Sequence, residues 1–164
     1  MIKDIEIIFE DKDILICRKP AGVATQTKRL GQQDMESLLK NYRAKKGESP
    51  YIGIVHRLDQ PVEGVMVFAK NQKAAASLSK QVQDRVIGKY YYAVSVNAPK
   101  EKEGTLEDYL LTDKTTNVTK VVDKDTQGAK NAKLEYRVVE VKDSKTLFDI
   151  KLHTGRQHQI RVQM

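Results

Sequence analysis

Residues 56–70, HRLDQPVEGVMVFAK, change character at their midpoint. His56, Arg57 and Asp59 stand together, Pro61 and Gly64 follow as turn residues, and Val65-Met66-Val67-Phe68 then runs on without a polar break. The right half reads as a strand, nearly continuous in apolar residues and therefore central in its sheet. The left half sets a carboxylate on a loop at the lip of that strand, where a rigid scaffold can aim it.

Working outward, IEIIFED and DILICRKP alternate as two short strands joined by a turn at Asp11-Lys12-Asp13. KPAGVATQT is a loop punctuated by Pro20 and Gly22. Met35, Leu38, Leu39 and Tyr42 then recur at helical spacing, with Asp34 as N-cap and Gly47 as stop. Beyond the opening stretch, Asn71 caps a second helix in which Ala75, Leu78 and Val82 share a face, and Gly88 ends it. KYYYAVSV alternates as a strand. Its Lys89, Tyr91, Ala93 and Ser95 form the more polar face, and Tyr90 and Tyr92 are expected in the core.

Residues 97–132 are polar, with LEDYLL and VTKVV as their apolar content, and read as short irregular strands and mobile loops. AKLEYRVVEVK and TLFDIKLHTG are two further strands meeting at Asp143-Ser144, the second burying Phe148, Ile150 and Leu152. The expected class is α+β: a mixed, mostly antiparallel sheet flanked by helices and loops, in a single domain spanning 1–164. In the closing GRQHQIRVQM, Ile160 and Met164 are one helical turn apart, so a helix is expected from about Gln159, cut short at the C-terminus.

Apolar residues make up 40% of the 164 and charged residues 31%, which is enough for a folded core. The net charge of +7 is dispersed rather than blocked, which favours a polyanionic partner. The lone Cys17 has no internal disulfide partner and sits in the apolar DILIC, as a core residue does. The start, MIKDIEIIFED, lacks a signal-peptide apolar region, and no apolar run approaches the roughly 20 residues of a membrane span. A cytoplasmic monomer with no membrane contact is expected.

HRLD at 56–59 and HTGRQHQIR at 153–161 together hold all three histidines, an aspartate and three arginines. A metal site from His56, Asp59, His153 and His158 has suitable ligand types. Against it, no element supplies two ligands at close spacing, and arginines flank the set. Histidine–carboxylate hydrolysis is permitted by residue type, but no attacking group is visible. The third reading pairs one carboxylate with an arginine of the distant patch and a tyrosine. An arginine keeps the acid ionised and poised against an electron-poor centre.

Taken together, the segments resemble the RluA/RluD-type RNA pseudouridine synthases. HRLDQPVEGVMVFAK looks like the family's HRLDxxxxGxxxxAK, KYYYAV fits KxYxA, TGRQHQIRV fits GRxHQIR, and IIFEDKDILICRKPAGVATQT is similar to its first strand pair and KPxG loop. The chain departs at Gln60, where the family has Arg or Lys, and at Val62-Glu63, where it has Thr-Ser; both bear on substrate fit. The family also continues past GRxHQIRV, and no separate N-terminal RNA-binding domain is expected here.

The resemblance implies isomerisation of uridine in structured ribosomal or transfer RNA, with no cofactor and no metal. It makes Asp59 the catalytic carboxylate, Arg161 its partner, and Tyr91 the ring that stacks on the flipped uracil and helps move the C5 proton. Arg57 would fill the gap the base leaves, and Ile160 would line the uracil pocket. His56, Arg156 and His158 would hold loops or face RNA, and Lys19 would face phosphate. The alternative is an RNA-binding module of the same fold without turnover.

Overall fold

The structure is a computed structural model that describes residues 5–27, 29, 31–96 and 99–164. The first four residues of the opening stretch, and positions 97 and 98 of the expected irregular segment, lie outside these. The chain divides into two compact units, Met1–Val86 and Ile87–Met164.

The first unit is a four-stranded antiparallel sheet with two helices. Its strands are β1 (Ile7–Glu10), β2 (Ile14–Lys19), β3 (Gly53–Ile54) and β4 (Gly64–Ala69), in the order β1-β2-β4-β3. The central position expected for the Val65–Phe68 run is therefore observed, with β4 lying between β2 and β3. Helix α1 (Met35–Lys45) begins in a reciprocal capping box between Asp34 and Ser37. Helix α2 (Gln72–Gln83) is capped by Asn71, whose side chain accepts the Ala74 N–H at 2.9 Å. It ends sooner than Gly88 implied, because Arg85 already turns left-handed at φ 58°.

Leu15, Cys17, Val23, Met35, Leu39, Ile52, Met66 and Phe68 form the core of this unit. Burial pushes the Cys17 thiol up to about 12, as suits an inert core residue. At the sheet end, the buried Lys70 ammonium meets Glu10 at 2.7 Å and Glu48 at 3.1 Å, and Arg43 donates to the Lys70 carbonyl at 2.8 Å.

The second unit is a five-stranded antiparallel sheet: β5 (Tyr90–Ser95), β6 (Glu103–Thr112), β7 (Thr119–Val122), β8 (Lys130–Lys142) and β9 (Lys145–Leu152), ordered β5-β9-β8-β6-β7. The short helix α3 (Gln159–Gln163) follows. Asp143 and Ser144 both take positive φ, 49° and 59°, and close the β8–β9 hairpin where Lys142 faces Lys145.

Two expectations are corrected here. The 97–132 segment contains a ten-residue strand, β6, rather than irregular pieces. Its Glu103, Thr105 and Glu107 are the exposed face of an alternating strand whose other face carries Leu106 and Leu110, so its polarity hid its regularity. In β5, Tyr90 and Tyr92 are exposed and Tyr91 faces the core, the reverse of the expected arrangement. Pairing with β9 decides this. Tyr91 and Ala93 lie beside the buried Ile150 and Phe148, whereas Tyr90 and Tyr92 lie beside Lys151 and Asp149. Among the described residues, no helix is long and apolar enough to cross a membrane.

Candidate active site

Asp59 stands exposed on the turn between β3 and β4, which closes where Val62 N–H donates to the Asp59 carbonyl at 3.0 Å. The turn is held from below by the 19–25 loop. Thr25, itself buried, donates from Oγ1 to the Leu58 carbonyl at 2.9 Å and accepts the Leu58 N–H at 3.2 Å. On the far side of Asp59, the Gly22 N–H donates to the Gln60 carbonyl at 2.9 Å, and the Gln60 amide returns a bond to the Gly22 carbonyl at 3.0 Å. Gly22 sits at φ 84°, a backbone that other L-residues rarely adopt. Gly64 makes room as well: a Cβ there would lie 3.1 Å from Leu58 Cδ1.

Lys19 does not face phosphate. Its side chain is fully buried, and its ammonium donates to the carbonyls of Val23 at 2.5 Å, Pro20 at 3.1 Å and Gln60 at 3.1 Å. Burial lowers its pKa, against the pull of the Asp59 and Glu63 carboxylates. A lone lysine in KPAG gives no hint of this inward path, because the fold alone closes three carbonyls around it. Lys19 is thus a brace of the turn and a positive charge set behind Asp59.

His56 accepts the Val67 N–H on Nε2 at 3.2 Å, so the ring takes over where the β3 ladder stops beside β4. Arg57 is exposed one residue before Leu58. Glu63, one of the departures, receives Arg18 of β2 at 2.6 Å and ties the end of the turn to the sheet.

The remaining expected site residues belong to the second unit. Tyr91 is half-buried and packs on the Leu134–Phe148–Ile150 cluster, in which Tyr136 meets Phe148 edge-on at 5.7 Å. Ile160 packs against the same cluster from α3. Arg161 is exposed on α3, and His158 begins that helix with a left-handed φ of 54°. Arg156 spends its Nε on the Asn131 carbonyl at 2.8 Å, which makes it a loop-holding residue.

Gln159 organises this end of the chain and was not singled out from the sequence, although it sits inside GRQHQIR. It is buried. Its Oε1 accepts from Thr154 Oγ1 at 2.8 Å and from the Arg156 N–H at 3.0 Å, while its Nε2 donates to the Lys133 carbonyl at 3.2 Å and to Gln163 at 2.9 Å. One amide therefore sets both the entry loop and the first turn of α3 against β8. Thr25 was missed too, since a single threonine in a loop carries no pattern.

Human RNA pseudouridylate synthase domain containing 4 shares the fold, with a TM-score of 0.78 at 23% identity over 96% of this chain and 62% of that one. Human RNA pseudouridylate synthase domain containing 1 matches with the same score at 22% identity, over 99% and 65%. The RNA pseudouridylate synthase family model matches residues 13–164, and on that match the chain belongs to this family, in its RluA/RluD type. The chain is 32% identical to the uncharacterized RNA pseudouridine synthase YhcT of Bacillus subtilis, over 98% of this chain and 53% of that protein. It is 33% identical to ribosomal large subunit pseudouridine synthase D of Nitrosomonas europaea, over 98% of this chain and 46% of that protein. The chain thus spans about half the length of these curated relatives.

Proposed function

We propose that this chain carries the catalytic machinery of an RNA pseudouridine synthase, which isomerises a uridine in ribosomal or transfer RNA. The observation that carries the reading is the bracing of Asp59. In a member of this family, the carboxylate at the HRLD position stands on a turn locked at Leu58 and at Gln60. A braced carboxylate suits a reaction in which a charge must meet one carbon of a bound nucleotide. Ribosomal RNA is the first substrate to test, since two relatives are named as synthases of the ribosomal large subunit.

The reaction breaks the uridine N1–C1′ bond, turns the base while it is held, and joins C5 to C1′. The proton leaving C5 balances the one gained at N1, so no oxidant or group donor is needed. The target base must leave its stack, at about a few kcal/mol. Asp59 traps or stabilises the electron-poor sugar carbon, or removes a neighbouring proton on the way to a glycal. The family resemblance makes Arg161 the cationic partner of the Asp59 carboxylate. Tyr91 stacks on the uracil and serves the C5 proton, Ile160 lines the base pocket, and Arg57 enters the space the base vacates. The enzyme works in the cytoplasm as a monomer.

The test is to incubate RNA from cells lacking this gene with the purified chain and to map pseudouridines. New pseudouridine at one or a few discrete uridines is expected. RNA that is bound but unmodified would favour the non-catalytic RNA-binding module instead.

A further inference from the structure

Beside the Asp59 turn, the first unit holds a groove of about 590 Å³, within the size range of small-ligand sites. One side is the continuous segment 51–57, and the other includes Gln26 and Glu36. We propose that this groove binds the nucleotide next to the modified uridine and that it favours guanine. The proposal rests on the pseudouridine synthase reading and names a specificity site within it.

Continuity with the turn is the first argument. The groove-lining segment ends at Arg57, two positions before Asp59, so an RNA strand that delivers a uridine to Asp59 lays a neighbour along it. Charge then orients that neighbour. Arg57 is the exposed cation of the strand side and takes phosphate, which leaves the other side, where the Glu36 carboxylate is already paired with Lys40, to the base.

The chemistry of that second side selects among bases. The Glu36 carboxylate is largely buried; its Oε1 receives Lys40 at 2.6 Å and its Oε2 receives the Gln26 amide nitrogen at 2.6 Å. With the nitrogen of this groove-lining residue so engaged, the acceptor that Gln26 has left is its carbonyl oxygen. The donors here, Lys40 Nζ and Gln26 Nε2, are thus turned to the carboxylate, and what Glu36 and Gln26 have left for a base is acceptor oxygen. Guanine is the base that presents two adjacent donors, N1–H and the 2-amino group, on its Watson–Crick edge. Uracil presents one N–H between two carbonyls and meets this side with acceptors against acceptors. Single-stranded RNA is commonly read on these edges, with stacking on an aromatic ring. Tyr51 supplies the ring: its hydroxyl lies 3.2 Å from where a Gly53 Cβ would stand, and the buried Arg43 holds its carbonyl.

The test is a nuclear magnetic resonance titration of the full chain with 5′-GMP, AMP, CMP and UMP. GMP should shift the amide signals of Glu36, Gly53 and Ile54, and bind about tenfold more tightly than UMP, the scale of one bidentate base contact. Glu36→Gln and the exposed Gln26→Ala should each reduce that preference, and Arg57→Ala should weaken all four nucleotides alike. No shift with any nucleotide, or a GMP preference that survives both Glu36→Gln and Gln26→Ala, overturns the proposal. Because this readout needs no turnover, groove binding without pseudouridine formation would count against the function alone. Turnover without groove binding would count against the subsite alone.

Discussion

Thr25 and Leu58 exchange two hydrogen bonds, the threonine hydroxyl donating to the leucine carbonyl at 2.9 Å and accepting its N–H at 3.2 Å. One side chain thereby satisfies both backbone groups of the residue that precedes Asp59. Thr25→Val keeps the shape and removes the hydroxyl, leaving both groups without their partner at a cost of about 1–3 kcal/mol. The denaturant midpoint should fall accordingly. Pseudouridine formation should slow more than RNA affinity drops, and Thr25→Ser should restore most of both.

Lys19 tests the same brace from the other side. Lys19→Met leaves the Val23 carbonyl without its donor and takes one of two donors from the Pro20 and Gln60 carbonyls, again about 1–3 kcal/mol. RNA binding by the wild type should weaken as salt rises, since bound phosphate releases counterions. For a brace, the salt slope in Lys19→Met should match that of the wild type. A phosphate-binding lysine would flatten it, so the slope measured by equilibrium binding at several salt concentrations separates the two roles.

Much of this organisation is readable from residue order, and what is not has a common physical cause. Asp34 and Asn71 announce α1 and α2 because a cap acts on its own neighbours. Asp143-Ser144 marks its hairpin for the same local reason. The covered face of β5 is not readable from its own residues, because the partner strand, not the side chains of β5, decides which face is covered. The parts played by Lys19 and Gln159 are hidden because backbone groups set them, three carbonyls for Lys19 and the Lys133 carbonyl and Arg156 N–H for Gln159, which every residue owns and no sequence displays. The HRLD pattern marks the turn on which Asp59 stands; the loop that holds that turn leaves no mark in the sequence.

Acid should strip one support from the first unit. Burial pushes the Glu10 carboxyl up, but hydrogen bonds from Lys70, Lys46 and Tyr42, with the Lys70 charge, outweigh it and hold the pKa at about 2. A carboxylate with a depressed folded-state value stabilises above its unfolded value of 4.5, and that contribution fades as pH falls from there towards 2. The urea midpoint of the wild type should drop through this window. Glu10→Gln should be less stable at neutral pH and show a shallower drop, read from unfolding curves at pH 2–7.

Gln159 should act as a positioning residue for Arg161. Gln159→Leu removes an amide that serves Thr154, Arg156, Lys133 and Gln163, at roughly 1–3 kcal/mol for each buried group left unpaired. If Arg161 has its proposed role, the turnover rate should fall while substrate affinity changes little, because the residue keeps its charge but loses the support of α3. A loss confined to thermal stability, with the rate intact at low temperature, would reduce Gln159 to a structural role.

The most direct measurement uses RNA tritiated at uracil C5, because joining C5 to the sugar must expel that hydrogen. The wild type should release tritium to water. Asp59→Asn should release none while still binding the RNA. Equal release from the two proteins would contradict the assignment of the chemistry to Asp59.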